Sequence, residues 1–286
     1  MKISDIYRSG KRSLSFEIFP PKKESELKSI DETLKVLSEL SPDFISVTFG
    51  AGGSANCNRT VEIARSIKRD YGIDPVVHLT SLHYDKAEID EFAYAMKDAG
   101  IENVLALRGD RNPNVKEKSD FLHASDLVDY LKSNYDFCVL GACYPECHPE
   151  SSNCITDIKG LKTKVDAGCE VLISQLFFEN MKFRRFSEKC KIAGIDVPVI
   201  PGIMPVINAG QIRRMIGMCN ASFPDRFVRI INKYGENRDA LFDAGMSYTL
   251  SQIIDLLVGG IPGVHLYTMN NPVVAKRICD GIRNIV

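Results

Sequence analysis

Short apolar, β-branched runs alternate with helix-period stretches eight times along this chain, and that alternation constrains the fold more than any other feature. The runs are Leu14 to Phe19, Phe44 to Phe49, Pro75 to Leu79, Asn103 to Leu107, Phe137 to Ala142, Val171 to Leu176, Val197 to Ile200 and Gly263 to Tyr267. Residues 24–40, 58–70, 86–99, 124–133, 159–167 and 182–193 lie between them and carry apolar side chains at helical spacing, as in Leu27, Ile30, Leu34, Leu37 and Leu40. Strands that are apolar throughout belong to a parallel sheet covered by helices. An open doubly wound sheet can be assembled from such units. Eight strands also close a barrel, and no Pro/Gly-rich linker divides the 286 residues. The sequence therefore predicts a single α/β domain over residues 1–286, a (β/α)₈ TIM barrel. Extra helices near 209–220, 222–234 and 238–258 precede its last strand.

Charge and cysteine content narrow the function classes. With 36 basic and 37 acidic residues the chain lacks the cationic surplus that phosphate backbones require, so no nucleic-acid partner is expected. No stretch approaches eighteen apolar residues, so no membrane span is expected. Met1 to Ser15 has no apolar core of a secretory signal, which predicts a cytoplasmic protein. Nine cysteines are scattered without a disulfide framework, so reduced thiols are expected. Cys143, Cys147, His148 and Cys154 are the one grouping that hints at metal. Their spacing lacks the paired knuckles of structural zinc, and they read as packing and loop thiols, with no metal.

In a barrel of this kind the active site lies at the C-terminal strand ends. Those ends carry Glu17, Thr48, His78, Thr80, Arg108-Gly109-Asp110, Tyr144, Glu146, His148, Gln175, His265, Tyr267 and Thr268. Glu17 interrupts the apolar segment Phe16-Glu17-Ile18-Phe19. A carboxyl buried there suits a general acid, because desolvation favours its protonated form. A solvent-facing or salt-bridged Glu17 is the structural alternative. Arg108-Gly109-Asp110 sets opposite charges around a residue that lets backbone approach a ligand, and it also fits an ordinary loop with an ion pair. Gly50-Ala51-Gly52-Gly53 can seat a phosphate or ring without being the dinucleotide fingerprint. Phe177-Phe178 reads as core or pocket wall, and Lys22-Lys23 as a solvated helix start.

Taken together, the segments Phe16 to Pro21, Val47 to Ala51, His78-Leu79-Thr80, Leu107 to Asp110, Tyr144 to Glu150, Gln175 to Phe178, Pro201 to Pro205 and Tyr267 to Asn270 closely resemble methylenetetrahydrofolate reductases, in that family's order and over almost the whole chain. The resemblance implies a flavoprotein of one-carbon metabolism and methionine biosynthesis. It would use FAD to reduce 5,10-methylenetetrahydrofolate to 5-methyltetrahydrofolate. In that family reduced flavin gives hydride to the methylene carbon after the ring has opened to an iminium ion. Glu17 matches the acid that protonates the departing nitrogen. Asp110 matches the catalytic aspartate between flavin and folate. Gln175 and Tyr267 match folate-binding positions, with Glu17 and Asp110. Thr48, Phe49, Ala51, His78, Arg108, Gly109, Asp110, His123, Ala124, Tyr144, His148, Asp157 and Lys164 match flavin-contacting positions. Arg108 and Lys164 suit a flavin or its pyrophosphate, whose charge needs local cations.

Three departures concern the electron donor. His123 stands where relatives often have Tyr, Ala209 where they carry a stacking aromatic, and Asn271 where Arg is common. They leave two donors in view, NADH and an electron-delivering partner protein. A homo-oligomer is expected on general grounds. Two other functions fit the residues alone. One is a flavin-free lyase using Glu17 and His78 as acid and base, and the other a barrel subunit serving as a docking platform.

Overall fold

The computed structural model describes residues 1–21, 27–49, 54–210 and 221–285. Helix α1 (Ile3–Arg8) precedes β1 (Ser13–Ile18), α2 (Leu27–Glu39), β2 (Phe44–Val47), α3 (Ser54–Tyr71), β3 (Asp74–Thr80) and α4 (Lys86–Asp98). The chain continues through β4 (Asn103–Leu107), α5 (Ala124–Asn134), β5 (Cys138–Cys143), α6 (Cys154–Asp166), β6 (Val171–Ser174) and α7 (Asn180–Ile192). It ends with β7 (Val199–Ile200), β8 (Gly202–Ile203), α8 (Asp225–Tyr234), α9 (Arg238–Val258), β9 (Gly263–Tyr267) and α10 (Pro272–Ile282). The helix expected near 209–220 lies outside the described residues from 211 onward, as do Lys22-Lys23 and Gly50 to Gly53.

Every strand pair is parallel, in the order β7-β6-β5-β4-β3-β2-β1-β9-β8. The two ends of that order, β7 and β8, are consecutive in the chain and separated only by Pro201. Leu172 and Ile173 pair with Val199 and Ile200, while Gly202 and Ile203 pair with His265 and Leu266. The seventh expected strand, Val197 to Ile200, forms only over β7, and β8 is a further short strand beyond Pro201. Proline has no N–H to extend a ladder, so the chain changes partner there while the Pro201 carbonyl accepts from His265 N at 3.0 Å. The barrel closes through this break, and among the described residues eight strand positions hold nine short strands.

Period-two alternation sorts each strand into an outer and an inner face. Outward residues such as Phe16, Ile18, Val47, Val77, Val104, Val139 and Leu172 join the helices in the main core. Inward residues form a second cluster of Phe44, Val76, Leu105, Cys138, Leu140, Val171, Ile173 and Ile200, which Ile3 and Ile6 of α1 complete. The Asn103 side chain, buried inside, accepts from Ile3 N at 2.8 Å and so fixes α1 against the barrel. A third cluster lies between the loop after β6 and helix α8, with Phe178 stacked on Phe227 and the Tyr248 hydroxyl donating to the Phe178 carbonyl. Phe177 is buried against Phe183. Both phenylalanines are core.

Helix α6 begins five residues before the expected Lys159. The Asn153 side chain accepts from Ile155 N and Thr156 N and so draws 154–158 into the first turn. Among the described residues no helix is long and apolar enough to cross a membrane.

Candidate active site

Glu17 faces into the barrel because Phe16 and Ile18, on either side of it, face the helices. Its side chain is almost fully buried, and its Oε2 lies 3.5 Å from His78 Nε2 and 3.8 Å from His265 Nε2. His265 is completely enclosed. Its Nδ1 bonds Ser15 Oγ at 2.8 Å, and Ser46 Oγ lies 3.4 Å from Nε2. The solvent-facing alternative for Glu17 is therefore excluded. Burial pushes His78 down to about 4, with Glu17 opposing and His265 adding to the shift, so the ring is neutral at physiological pH. His78 Nε2 is buried without a hydrogen-bond partner.

The loop after β9 fixes the end of β1. Met269 and Asn270 adopt positive φ, which turns the chain back over Phe19. Asn270 then accepts from Phe19 N and donates to Phe19 O, both at 2.9 Å, while Thr268 Oγ1 donates to the Glu17 carbonyl at 3.2 Å. These clasps are not legible in the sequence. They join residues 251 positions apart.

His78 separates Glu17 from a cavity of about 1740 Å³ at the C-terminal strand ends. Thr48 and Phe49 reach it from β2, His78 from β3, and Arg108, Gly109 and Asp110 from β4. His123 and Ala124 line it from the start of α5, Tyr144 and His148 from the loop after β5, and Asp157 and Lys164 from α6. The described residues expected at a cofactor site thus all line this cavity. Ala51 lies outside the described residues. Gly109 has φ +90, and a Cβ there would sit 3.1 Å from Thr80, so glycine lets β3 and β4 meet at the rim. Lys164 Nζ donates to Ala142 O at 2.7 Å, and burial pulls its pKa down.

Of the expected folate residues, Asp110 lines this cavity, whereas Glu17, Gln175 and Tyr267 do not. Gln175 Oε1 accepts from Leu176 N, and the Tyr267 hydroxyl donates to Ser174 O at 2.7 Å. Tyr267 closes over Gly202, where any Cβ would fall 2.2 Å from Ser174 O and 2.6 Å from the Tyr267 ring. Glu17 and Tyr267 are register partners on the neighbouring strands β1 and β9, and His78 reaches Glu17 from β3 at 3.5 Å.

One cysteine reading is corrected. Cys147 and Cys154 form a disulfide, with Cα atoms 5.3 Å apart. Cys147 has φ +71 and donates its N–H to Tyr144 O, so the chain doubles back and brings the two sulfurs together. A tally of cysteines along the chain does not reveal this turn. Cys143 is buried on the outer face of β5, as the packing reading requires, and burial holds its thiol well above the ordinary range.

Comparison with known proteins assigns the chain to a family. The methylenetetrahydrofolate reductase family model matches residues 2–283. The 5,10-methylenetetrahydrofolate reductase of Escherichia coli (strain K12) is 34% identical over 276 residues, 96% of this chain and 92% of the relative. The Buchnera aphidicola enzyme of the same name is 36% identical over 271 residues, 95% of this chain and 92% of that one. Arabidopsis thaliana methylenetetrahydrofolate reductase (NADH) 1 is 34% identical over 284 residues, 94% of this chain but only 48% of the plant protein, so the chain spans about half its length. Among solved structures, a Clostridium thermocellum protein that binds two copies of 5-methyl-5,6,7,8-tetrahydrofolic acid superposes with TM-score 0.67 at 15% identity, over 99% of this chain and 98% of that one. At that identity the likeness concerns the barrel fold alone. The matched length and the identity to full-length bacterial relatives decide the family: this chain belongs to the methylenetetrahydrofolate reductases.

Proposed function

We propose that the chain reduces 5,10-methylenetetrahydrofolate to 5-methyltetrahydrofolate, with FAD as its flavin and Glu17 as the source of the proton. The observation that carries this reading is the buried Glu17 carboxyl, one side chain behind the wall of a large strand-end cavity. Glu17 is almost fully buried, and its Oε2 lies 3.5 Å from the ring of His78, which lines the cavity where substrate would be bound.

The residues fit a flavin dinucleotide. A cavity of about 1740 Å³ exceeds the 300–1,000 Å³ of ordinary small-ligand sites and suits a long two-part cofactor. Arg108 and Lys164 place cations on its wall for anionic oxygens, and the unpartnered His78 Nε2 is a buried polar atom at the same wall. When bound, FAD supplies the hydride equivalent. Thr48, Phe49, Gly109, His123, Ala124, Tyr144, His148 and Asp157 shape the walls that orient it. Asp110 is exposed at the rim, where its carboxylate stabilises positive charge that develops on the opened folate ring. Gln175 and Tyr267 hold the folate on the other side of Glu17.

The electron donor is the finer question. Asn271 Oδ1 accepts from Val273 N and Val274 N and so caps α10, and it offers no positive charge to a nicotinamide dinucleotide. Ala209 offers no ring for stacking. Each missing contact is worth on the order of 1 kcal/mol, so NADH affinity falls ten-fold or more relative to a site that has both. Anaerobic titration of the purified, yellow protein is expected to show slow flavin reduction by NADH alone and faster reduction by an artificial donor or a partner protein. Rapid reduction by micromolar NADH would make the chain an ordinary NADH-dependent reductase. A colourless preparation that takes up no FAD would overturn the flavin reading itself.

A further inference from the structure

Arg108 on the cavity wall is already engaged. Its two terminal nitrogens donate to the two oxygens of Glu150 at 2.6 and 2.7 Å, and its Nε donates to the Gly109 carbonyl at 3.2 Å. A guanidinium has five N–H donors, so this arrangement uses three and leaves one on each terminal nitrogen. Glu150 is itself held in place. Its backbone N–H donates to His148 Nδ1 at 3.1 Å, and Ser151 beside it donates to Asp157 Oδ1 at 3.0 Å. The loop that presents it is closed by the Cys147–Cys154 disulfide. Arg111 Nε approaches the same carboxylate at 4.0 Å. Both partners line the cavity.

The side chain of Glu150 is 47% exposed, and ion pairs this open to water contribute little to stability. Bidentate pairing does supply orientation, since it fixes the plane of the guanidinium and restricts its rotamers. We propose that Glu150 is a positioning residue for the cofactor: it locks Arg108 so that the two remaining N–H donors are preset for an anionic oxygen of the flavin dinucleotide. This rests on the flavin reading above. The pair stays formed through neutral pH, because Arg108 holds the Glu150 carboxyl down at about 2. A preset donor loses less freedom on binding than one that must be ordered, so the gain is read as affinity.

A double-mutant cycle tests this through the dissociation constant of FAD from the apoprotein, measured by flavin fluorescence, with thermal unfolding as the check on folding. Glu150→Ala is expected to weaken FAD about ten-fold, and Glu150→Gln, which keeps one acceptor, about three-fold. Arg108→Ala is expected to weaken it more, and adding Glu150→Ala to that variant to change nothing further. Arg108→Lys, unable to pair in two places, is expected to behave like Glu150→Ala. Parallel titrations with ADP and riboflavin tell which half of the cofactor Arg108 serves. An undiminished Glu150→Ala penalty in the Arg108→Ala background, or an affinity within two-fold of wild type, overturns the proposal while leaving the flavin reading intact. If the wild-type apoprotein binds none of FAD, ADP or riboflavin, both fall.

Discussion

Strands β9, β1, β2 and β3 turn His265, Ser15, Glu17, Ser46 and His78 into the barrel above Phe44 and Val76, whereas β4 to β7, beyond Asn103 at the floor, turn in Leu105, Cys138, Leu140, Val171, Ile173 and Ile200. Both halves are equally dry, with every one of these side chains at most 8% exposed. An apolar interior is stabilised by burial at about 25 cal/mol per Å². A polar one must match each donor to an acceptor merely to break even. The polar half does this incompletely, leaving His78 Nε2 without a partner. Unequal spending on the same kind of surface points to a role for the polar half other than holding the barrel closed.

The comparison can be broken most decisively at Glu17. Glu17→Gln keeps the shape and removes the proposed proton donor, so folate reduction is expected to fall about a thousand-fold, within the range for loss of a general acid. Flavin content and flavin reduction should stay near wild type. Near-normal folate turnover in this variant would make the polar half structural.

The apolar half should respond in the opposite way. Leu140 is fully buried in the inner cluster, so Leu140→Ala is expected to lose about 2–5 kcal/mol in chemical denaturation while kcat of the folded fraction changes little. A large kcat loss with unchanged stability would erase the distinction between the halves.

A smaller effect concerns pH. His78 sits at about 4 when folded and near 6.5 when unfolded, so between those values the unfolded chain binds more protons. Its contribution is full above pH 6.5 and is lost on acidification, with stability falling by up to roughly 3 kcal/mol by pH 4. Denaturation curves across this window should be flatter for His78→Asn than for wild type. Equal slopes would mean that His78 titrates as if exposed.

Much of this architecture was legible in the sequence. Each of the eight apolar runs became a strand position, because continuous β-branched segments bounded by helical periods have few other ways to bury both faces. The strand-end residues were legible for the same reason, since a barrel puts those ends at one mouth. What escaped depended on contacts without a local signal. Helix α1 was missed, because Ile3 and Ile6 become core only when a barrel floor exists to receive them. Pro201 was visible, but not that the chain would exchange one sheet neighbour for another around it. The Cys147–Cys154 pair depended on the positive φ of Cys147, and the engagement of Arg108 on a loop 42 residues away.

The sequence by itself determined the alternation of strands with the helices between them and the face on which neighbouring strand residues lie, because both follow from local period and from the chirality of the chain. Phe16 and Ile18 could not face the helices without turning Glu17 inward. Tertiary structure alone decided what Glu17 meets there. His78 and His265 arrive from strands on either side of β1 once the barrel has closed, 61 and 248 residues away in the chain. At such separations no propensity or spacing acts. Only the shared geometry of closure, in which β9 must pair with β1, brings the two imidazoles within 4 Å of one Glu17 oxygen.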